Sequence, residues 1–113
     1  MATIDTSCVE RELCAIRDTS SAISKLLRKR LEEIEANPGS FPELDDIPKK
    51  LRKDYPTATL RKAYIESHRH SFRLIFAHWK LSAQTEHVDF LYAFPRRRGY
   101  QIDWKWVDTR LGE

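Results

Sequence analysis

The sequence predicts an α+β fold in which an N-terminal helical hairpin packs on an antiparallel β-sheet. Apolar residues recur about every 3.6 positions in residues 9–34 and about every 2 positions after residue 58, which separates a helical part from a strand-rich part. Four of the five prolines lie between these parts and predict a loop. With 113 residues, 41% hydrophobic and 33% charged, the chain is predicted to form one domain over 1–113.

Two helices are predicted before the loop. Ser7 and Glu10 have the spacing of a capping box, so we expect the first helix to begin there. The second helix ends at the sequence Asn37-Pro38-Gly39, since proline and glycine both favour helix ends. Its apolar stripe consists of Ile23, Leu26, Leu27, Leu31 and Ile34.

After the loop, which holds at most a short helix around Lys49–Lys53, three β-rich runs predict an antiparallel meander. The runs are Leu60–Glu66, Phe72–Trp79 and Val88–Phe94. Alternation places Phe72, Leu74 and Phe76 against the helices and Arg73 on the opposite, open face. If Ala63 and Ile65 also point into the core, the residues that join Arg73 on the open face are Lys62, Tyr64 and Glu66.

The last segment combines three arginines with alternating aromatic residues. Bases stack on aromatic rings and phosphates pair with arginine, so the composition suits single-stranded nucleic acid. The alternative is that Tyr100, Ile102, Trp104 and Trp106 line the inner face of a final strand or tail. Both interpretations stay open at this point.

Charge divides unevenly along the chain. Residues 1–47 hold six basic and ten acidic residues, whereas residues 48–113 hold fourteen basic and seven acidic residues. The basic C-terminal part points to a polyanionic partner, although a basic surface without a nucleic-acid role is also open.

Composition also limits the compartment and the chemistry. No apolar run is long enough to span a membrane and no signal peptide is present, so we expect a cytoplasmic protein without membrane contact. Cys8 and Cys14 are six positions apart in a predicted helix, too far for a disulfide. The sequence has no spacing typical of a zinc site, and we expect neither metal nor cofactor.

The order of strand, two helices, loop and meander resembles the RelE/ParE toxin superfamily of bacterial type II toxin–antitoxin pairs. The segments that carry the resemblance are Leu31-Glu32-Glu33-Ile34 leading to Asn37-Pro38, Ser71-Phe72-Arg73-Leu74-Ile75-Phe76, and Phe90 to Arg98, with a first strand near Thr3 to Thr6. The resemblance implies either a metal-independent mRNA endoribonuclease, often acting in the ribosomal decoding site, or a gyrase poison that cleaves nothing. It also implies a cognate antitoxin. A nucleic-acid-binding or protein-binding domain that only shares the fold is the remaining alternative.

The resemblance also suggests site residues. Arg73 matches the arginine that contacts the scissile phosphate, and Arg97 matches a second functional arginine at the end of the last meander strand. Tyr64 and Glu66 stand where the most typical ribonuclease has two lysines, and Lys62 lies one same-face position further.

Metal-free RNA cleavage needs a base for the 2′-hydroxyl, cations for the phosphorane and an acid for the leaving 5′-oxygen. We expect Glu66 to be the base and Arg73, Arg97 and Lys62 to be the cations. The candidates for the acid are His68, His70 and Tyr100, and of these we expect His70 to be catalytic. The residues expected to bind substrate are Arg61, Arg96, Arg98 and Tyr100.

Overall fold

The protein forms a four-stranded mixed β-sheet with helices against both faces, in a computed structural model that describes residues 2–45, 47–67, 69–96 and 102–112. The elements follow the order β1 (Thr3–Asp5), α1 (Glu10–Arg17), α2 (Ser21–Ala36), α3 (Lys49–Asp54), β2 (Ala58–Glu66), β3 (Ser71–Lys80), β4 (Glu86–Pro95) and α4 (Trp104–Leu111). The sheet order is β1-β4-β3-β2.

The α+β class and the antiparallel β2–β3–β4 meander are confirmed. The prediction of a wholly antiparallel sheet is wrong, because β1 runs parallel to β4. The intervening helices and meander carry the chain back to the same end of the sheet, so β1 and β4 point in the same direction.

Local polar groups determine where the first helices begin. The Ser20 hydroxyl accepts a hydrogen bond from the Ile23 amide at 3.1 Å, which fixes the start of α2. The predicted capping box at Ser7 is wrong: the Asp5 carboxylate accepts the Ser7 amide at 2.8 Å, and residues Ser7–Val9 form a 3-10 turn. The first α-helix therefore begins only at Glu10.

One face of the sheet packs on α1 and α2, as the alternation predicts. Ile23, Leu27 and Ile34 of α2 are fully or almost fully buried. Opposite them lie the buried sheet residues Ala63, Ile65, Phe72, Leu74, Phe76, Val88, Phe90 and Ala93. Burial of these apolar side chains supplies the main driving force for the contact between the hairpin and the sheet.

The second face is largely covered too, which corrects the expectation of an open face and of helices only at the N-terminus. α3 and α4 pack on this face through Leu51 and Val107. The sheet residues that they help to bury are Leu60, Ile75, Ala77, Leu91 and Phe94. The final strand or tail predicted over Trp104 and Trp106 is a helix instead, because the Asp103 carboxylate accepts the amides of Lys105 and Trp106.

Arg110 of α4 contacts both the backbone of β4 and helix α1. Leu91 is an extra residue in β4, since Ile75 pairs with Tyr92 and Phe76 pairs with Phe90. Arg110 donates from Nη1 to the Leu91 carbonyl at 2.8 Å and lies 2.7 Å from a carboxylate oxygen of Glu12 on α1. The Arg110 guanidinium therefore links α4, on the second face of the sheet, to α1, on the first face.

The cysteines and the lengths of the helices bear on disulfide formation and on membrane insertion. Cys8 and Cys14 both belong to the described residues and are not joined by a disulfide. Within those residues, no helix combines the length and apolar character needed to cross a membrane.

Two neighbouring leucines of α2 test the packing. Leu27 is 1% exposed and Leu26 is 37% exposed. We expect Leu27→Ala to lower the free energy of unfolding by about 2–5 kcal/mol, because it removes buried methyl groups and leaves a cavity. Leu26→Ala is the matched control and should cost less than about 1 kcal/mol. Urea denaturation of both variants measures the difference, and equal losses would contradict the packing of α2.

Candidate functional site

A charged patch occupies the end of the second sheet face, next to the β2–β3 hairpin. Alternation along the two strands places its members on one side of the sheet, away from α1 and α2. We call this surface the arginine patch, and its described residues are Lys62, Tyr64, Glu66, Ser71, Arg73 and Arg96. The structure thus brings together four of the predicted site residues, namely Arg73, Glu66, Lys62 and Arg96.

Tyr64 is the centre of the patch. It pairs directly with Arg73 across the ladder, and the Arg73 guanidinium carbon lies 5.9 Å from the centre of the Tyr64 ring. The guanidinium carbon of Arg96 lies 4.5 Å from the same centre. Two cations therefore converge on one aromatic ring, where the ring offers a favourable quadrupole but the like charges repel.

Acidic partners neutralise only part of this charge. Arg96 Nη1 lies 2.8 Å from Glu66 Oε1, and both side chains are about half exposed. Lys62 Nζ lies 3.8 Å from a carboxylate oxygen of the highly exposed Asp45. Among the described residues Arg73 forms no ion pair, whereas Arg96 and Lys62 each lie close to a carboxylate.

Arg73 and Ser71 also share unmet hydrogen-bonding capacity. Arg73 Nε and Ser71 Oγ are buried atoms for which the described residues supply no hydrogen-bond partner. Both side chains lie on the same face of β3, two positions apart. Unsatisfied buried polar groups cost free energy, and solvent does not reach either atom in this structure. The Arg73 side chain as a whole is only half-buried, and the planar fork of an arginine guanidinium matches the geometry of a phosphate.

The other predicted residues lie elsewhere. His70 is exposed, and its ring stacks at 6.3 Å on Phe72, whose side chain faces α1 and α2 rather than the arginine patch. Arg61 also lies on the face that packs on α1 and α2, because it pairs with Phe76. Arg97, Arg98 and Tyr100 lie outside the described residues, and so does His68, so their expected roles stay predictions.

Arg61 belongs to a polar network at the opposite end of the sheet. Its Nε donates to Nδ1 of the buried His78 at 3.1 Å, and its Nη1 donates to the Phe41 carbonyl at 2.9 Å. Since Nδ1 accepts, the His78 proton lies on Nε2, which donates to Glu86 at 2.9 Å. The network links β2, β3 and β4, and it gives Arg61 a structural task.

One group of side chains has the composition of a metal-ligand set. Asp5, His87 and Asp89 each offer one ligand atom, and these atoms lie within 4.8 Å of one another. Hydrogen bonds from the hydroxyl and amide of Ser7 hold the pKa of Asp5 below its ordinary value of 3.8, with a smaller contribution from the His87 charge. Internal contacts already use part of the set, since His87 Nε2 lies 2.8 Å from Asp89 and the Trp79 indole also donates to Asp89.

Sequence reasoning placed Tyr64 on the same face as Arg73 but gave it no role in the site, and it gave Ser71 no role either. The signal was present, since alternation places Tyr64 beside Arg73 and Ser71 on the same side of β3. Neither residue type is strongly associated with a charge patch, and the pairing register was needed to show that Tyr64 stands opposite Arg73.

Searches of this chain against protein-family models, curated proteins and solved structures return no match. The chemistry of the arginine patch therefore rests on its own distances, burial and charge.

Arg61→Ala tests the structural assignment of that arginine. The variant leaves His78 Nδ1 and the Phe41 carbonyl without their donor, so we expect the free energy of unfolding to fall by about 1–3 kcal/mol. Arg52→Ala, an exposed arginine on α3, is the control and should change it by less than about 0.5 kcal/mol. Chemical denaturation measures both. If Arg61→Ala is as stable as the control, Arg61 has no structural role and remains a candidate for substrate binding.

Proposed function

We propose that this chain is an RNA-cleaving toxin of a bacterial type II toxin–antitoxin pair. The observation that carries the proposal is the convergence of Arg73 and Arg96 on Tyr64, with a buried Arg73 N–H that has no partner among the described residues. An uncompensated guanidinium beside an aromatic ring suits a phosphate and its adjacent base.

The order of the elements supports the same proposal. A short strand and a helical hairpin precede the β2–β3–β4 meander, and Arg73 lies near the start of its middle strand. This is the order expected for a RelE/ParE-like fold. A fold of that kind hosts more than one activity, so the proposal depends on the patch rather than on the topology.

The proposed reaction is attack of a ribose 2′-hydroxyl on the adjacent phosphorus. Glu66 accepts the hydroxyl proton, the new 2′-oxygen–phosphorus bond forms and the bond to the 5′-oxygen breaks. The products are a 2′,3′-cyclic phosphate and a 5′-hydroxyl end. Arg73 and Arg96 stabilise the charge that grows on the phosphorane oxygens, with Lys62 as a more distant cation. Tyr100 and His68 stay in the proposal as candidate proton donors, and Arg97 stays as a further cation.

The proposed partners follow from the charge. The substrate is mRNA in the cytoplasm, in the decoding site of the ribosome or free of it. The cognate antitoxin is an acidic or amphipathic segment that covers the arginine patch and becomes ordered as it binds. Its carboxylates would take the place of the substrate phosphate at Arg73.

Expression of this chain alone in bacteria tests the activity. We expect growth arrest, together with new discrete 5′ ends in an abundant transcript examined by primer extension. Arg73→Ala should reduce cleavage about 100-fold or more, because it removes a donor that binds the charge of the transition state. The matched control is Arg52→Ala, which should behave as the parent chain.

Each other outcome contradicts the proposal in a defined way. Arrest with intact transcripts would indicate a non-catalytic toxin, such as a gyrase poison. Unhindered growth with well-expressed, folded protein would indicate a binding domain. A lower melting temperature for Arg73→Ala, with unchanged cleavage by the protein that remains folded, would make Arg73 a structural residue.

Salt dependence tests whether Arg73 holds a phosphate. The affinity for a non-cleavable single-stranded RNA should fall with salt concentration, and Arg73→Ala should reduce the slope of log K against log salt by about 0.7. Fluorescence anisotropy measures the slope at several salt concentrations. Arg52→Ala should keep the parent slope, and the same slope in Arg73→Ala would show that Arg73 makes no phosphate contact.

A further inference from the structure

A cavity of about 580 Å³ lies between the C-terminal half of α1 and the β2–β3 hairpin. Its walls include Ile16 of α1 and the sheet residues Phe72 and Ala93, which are all buried apolar side chains. Two of its lining residues have roles predicted from the sequence, His70 as a proton donor and Arg96 as a substrate-binding residue. The cavity has an apolar interior and the size of a small organic group.

Two rings form an aromatic wall of this cavity. His70 stacks on Phe72 with 6.3 Å between ring centres and 22° between ring planes. His70 is exposed, and the structure shows no hydrogen bond or ion pair that holds its ring among the described residues. A flat heterocycle that enters the cavity would gain stacking on this wall without needing a particular hydrogen-bonding edge.

Polar groups line the rest of the cavity. Arg69 and Arg96 contribute cations, Glu12 of α1 contributes a carboxylate, and Thr19 in the turn after α1 contributes a hydroxyl. Glu12 binds Arg110 through one oxygen, Oε1, and the Thr19 hydroxyl donates to the Ala15 carbonyl, so both side chains keep acceptor capacity. This mixture of apolar floor, aromatic wall and few polar groups is typical of a site for a base.

The cavity and the arginine patch lie on opposite faces of the sheet and meet at its end. Arg96 and Ser71 belong to both, and the Arg96 amide donates to the Ser71 carbonyl at 2.8 Å. The same Arg96 side chain reaches Glu66 and the Tyr64 ring on the other side of the sheet end. A strand whose phosphate lies at Arg73 and Arg96 would therefore turn around this end of the sheet to place a neighbouring base in the cavity.

We propose that this cavity binds one unstacked base of the RNA strand whose phosphate lies on the arginine patch. The inference rests on the proposed function and adds a base-recognition subsite to it. His70 acts there as a stacking surface for the base rather than as a proton donor, in keeping with its position away from Arg73.

Binding of four fluorescein-labelled RNA pentamers, each of one base type and made non-cleavable by 2′-O-methyl sugars, tests the subsite. A fifth pentamer carries an abasic site at its centre. We expect the parent protein to bind its preferred pentamer about tenfold more tightly than the abasic one, as one stacked base provides. His70→Ala should remove this difference, whereas His70→Phe should retain it because the ring is kept.

A second variant tests the cavity rather than the ring. Ala15 of α1 is exposed and borders the cavity, so Ala15→Trp should fill the space and weaken base discrimination without removing a charge. Gln84→Ala, in the exposed loop between β3 and β4, is the control and should bind as the parent does. When Arg73→Ala is added to Ala15→Trp or to Gln84→Ala, RNA affinity should fall by the same factor as when it is added to the parent.

The outcomes separate the two proposals. If the parent binds RNA and depends on Arg73, but His70→Ala and Ala15→Trp discriminate bases as the parent does, the subsite is wrong and the proposed function stands. If the parent binds none of the pentamers, with or without the abasic site, the proposed function is wrong and the subsite falls with it.

Discussion

Burial of β3 on both of its faces is the constraint on which the rest of the architecture depends. Leu74 and Phe76 point towards α1 and α2, while Ile75 and Ala77 point towards α3 and α4, and all four are fully buried. A strand of this kind needs a layer of helices on each side. The second layer comes from short C-terminal and central helices, which bury the face that β2 and β4 share with Ile75.

The same constraint decides where polar chemistry can exist. Charged side chains are excluded from the middle of β3 because they would lack solvent and partners there. Arg73 lies at one end of the apolar run and His78 at the other, and the two side chains differ in their hydrogen-bond partners. At His78 the partners Arg61 and Glu86 complete a hydrogen-bonded network. At Arg73 the described residues leave a buried guanidinium N–H without a hydrogen-bond partner.

Much of the fold could be predicted from the sequence, since the three meander strands lie within two residues of their predicted bounds and the core face of β3 was identified correctly. The parallel pairing of β1 could not, because a contact between residues 3–5 and 87–89 leaves no local pattern. The helix over 104–111 was missed because aromatic residues alternate through Trp104 and Trp106, although the Asp103 cap was visible. Alternation placed Arg73, Glu66, Lys62 and Tyr64 together. The same alternation puts Arg61 on the face of Ala63 and Ile65, where the observed pairing also places it.

The pairing of β1 with β4 has a consequence for synthesis of the chain. β1 is made long before its partner residues 87–89. The helical hairpin can form from local contacts during this interval, whereas the sheet closes only when β4 is available. Arg110 is made later still, and it joins α4 to Glu12. β1 therefore waits unpaired while the hairpin and most of the sheet are synthesised.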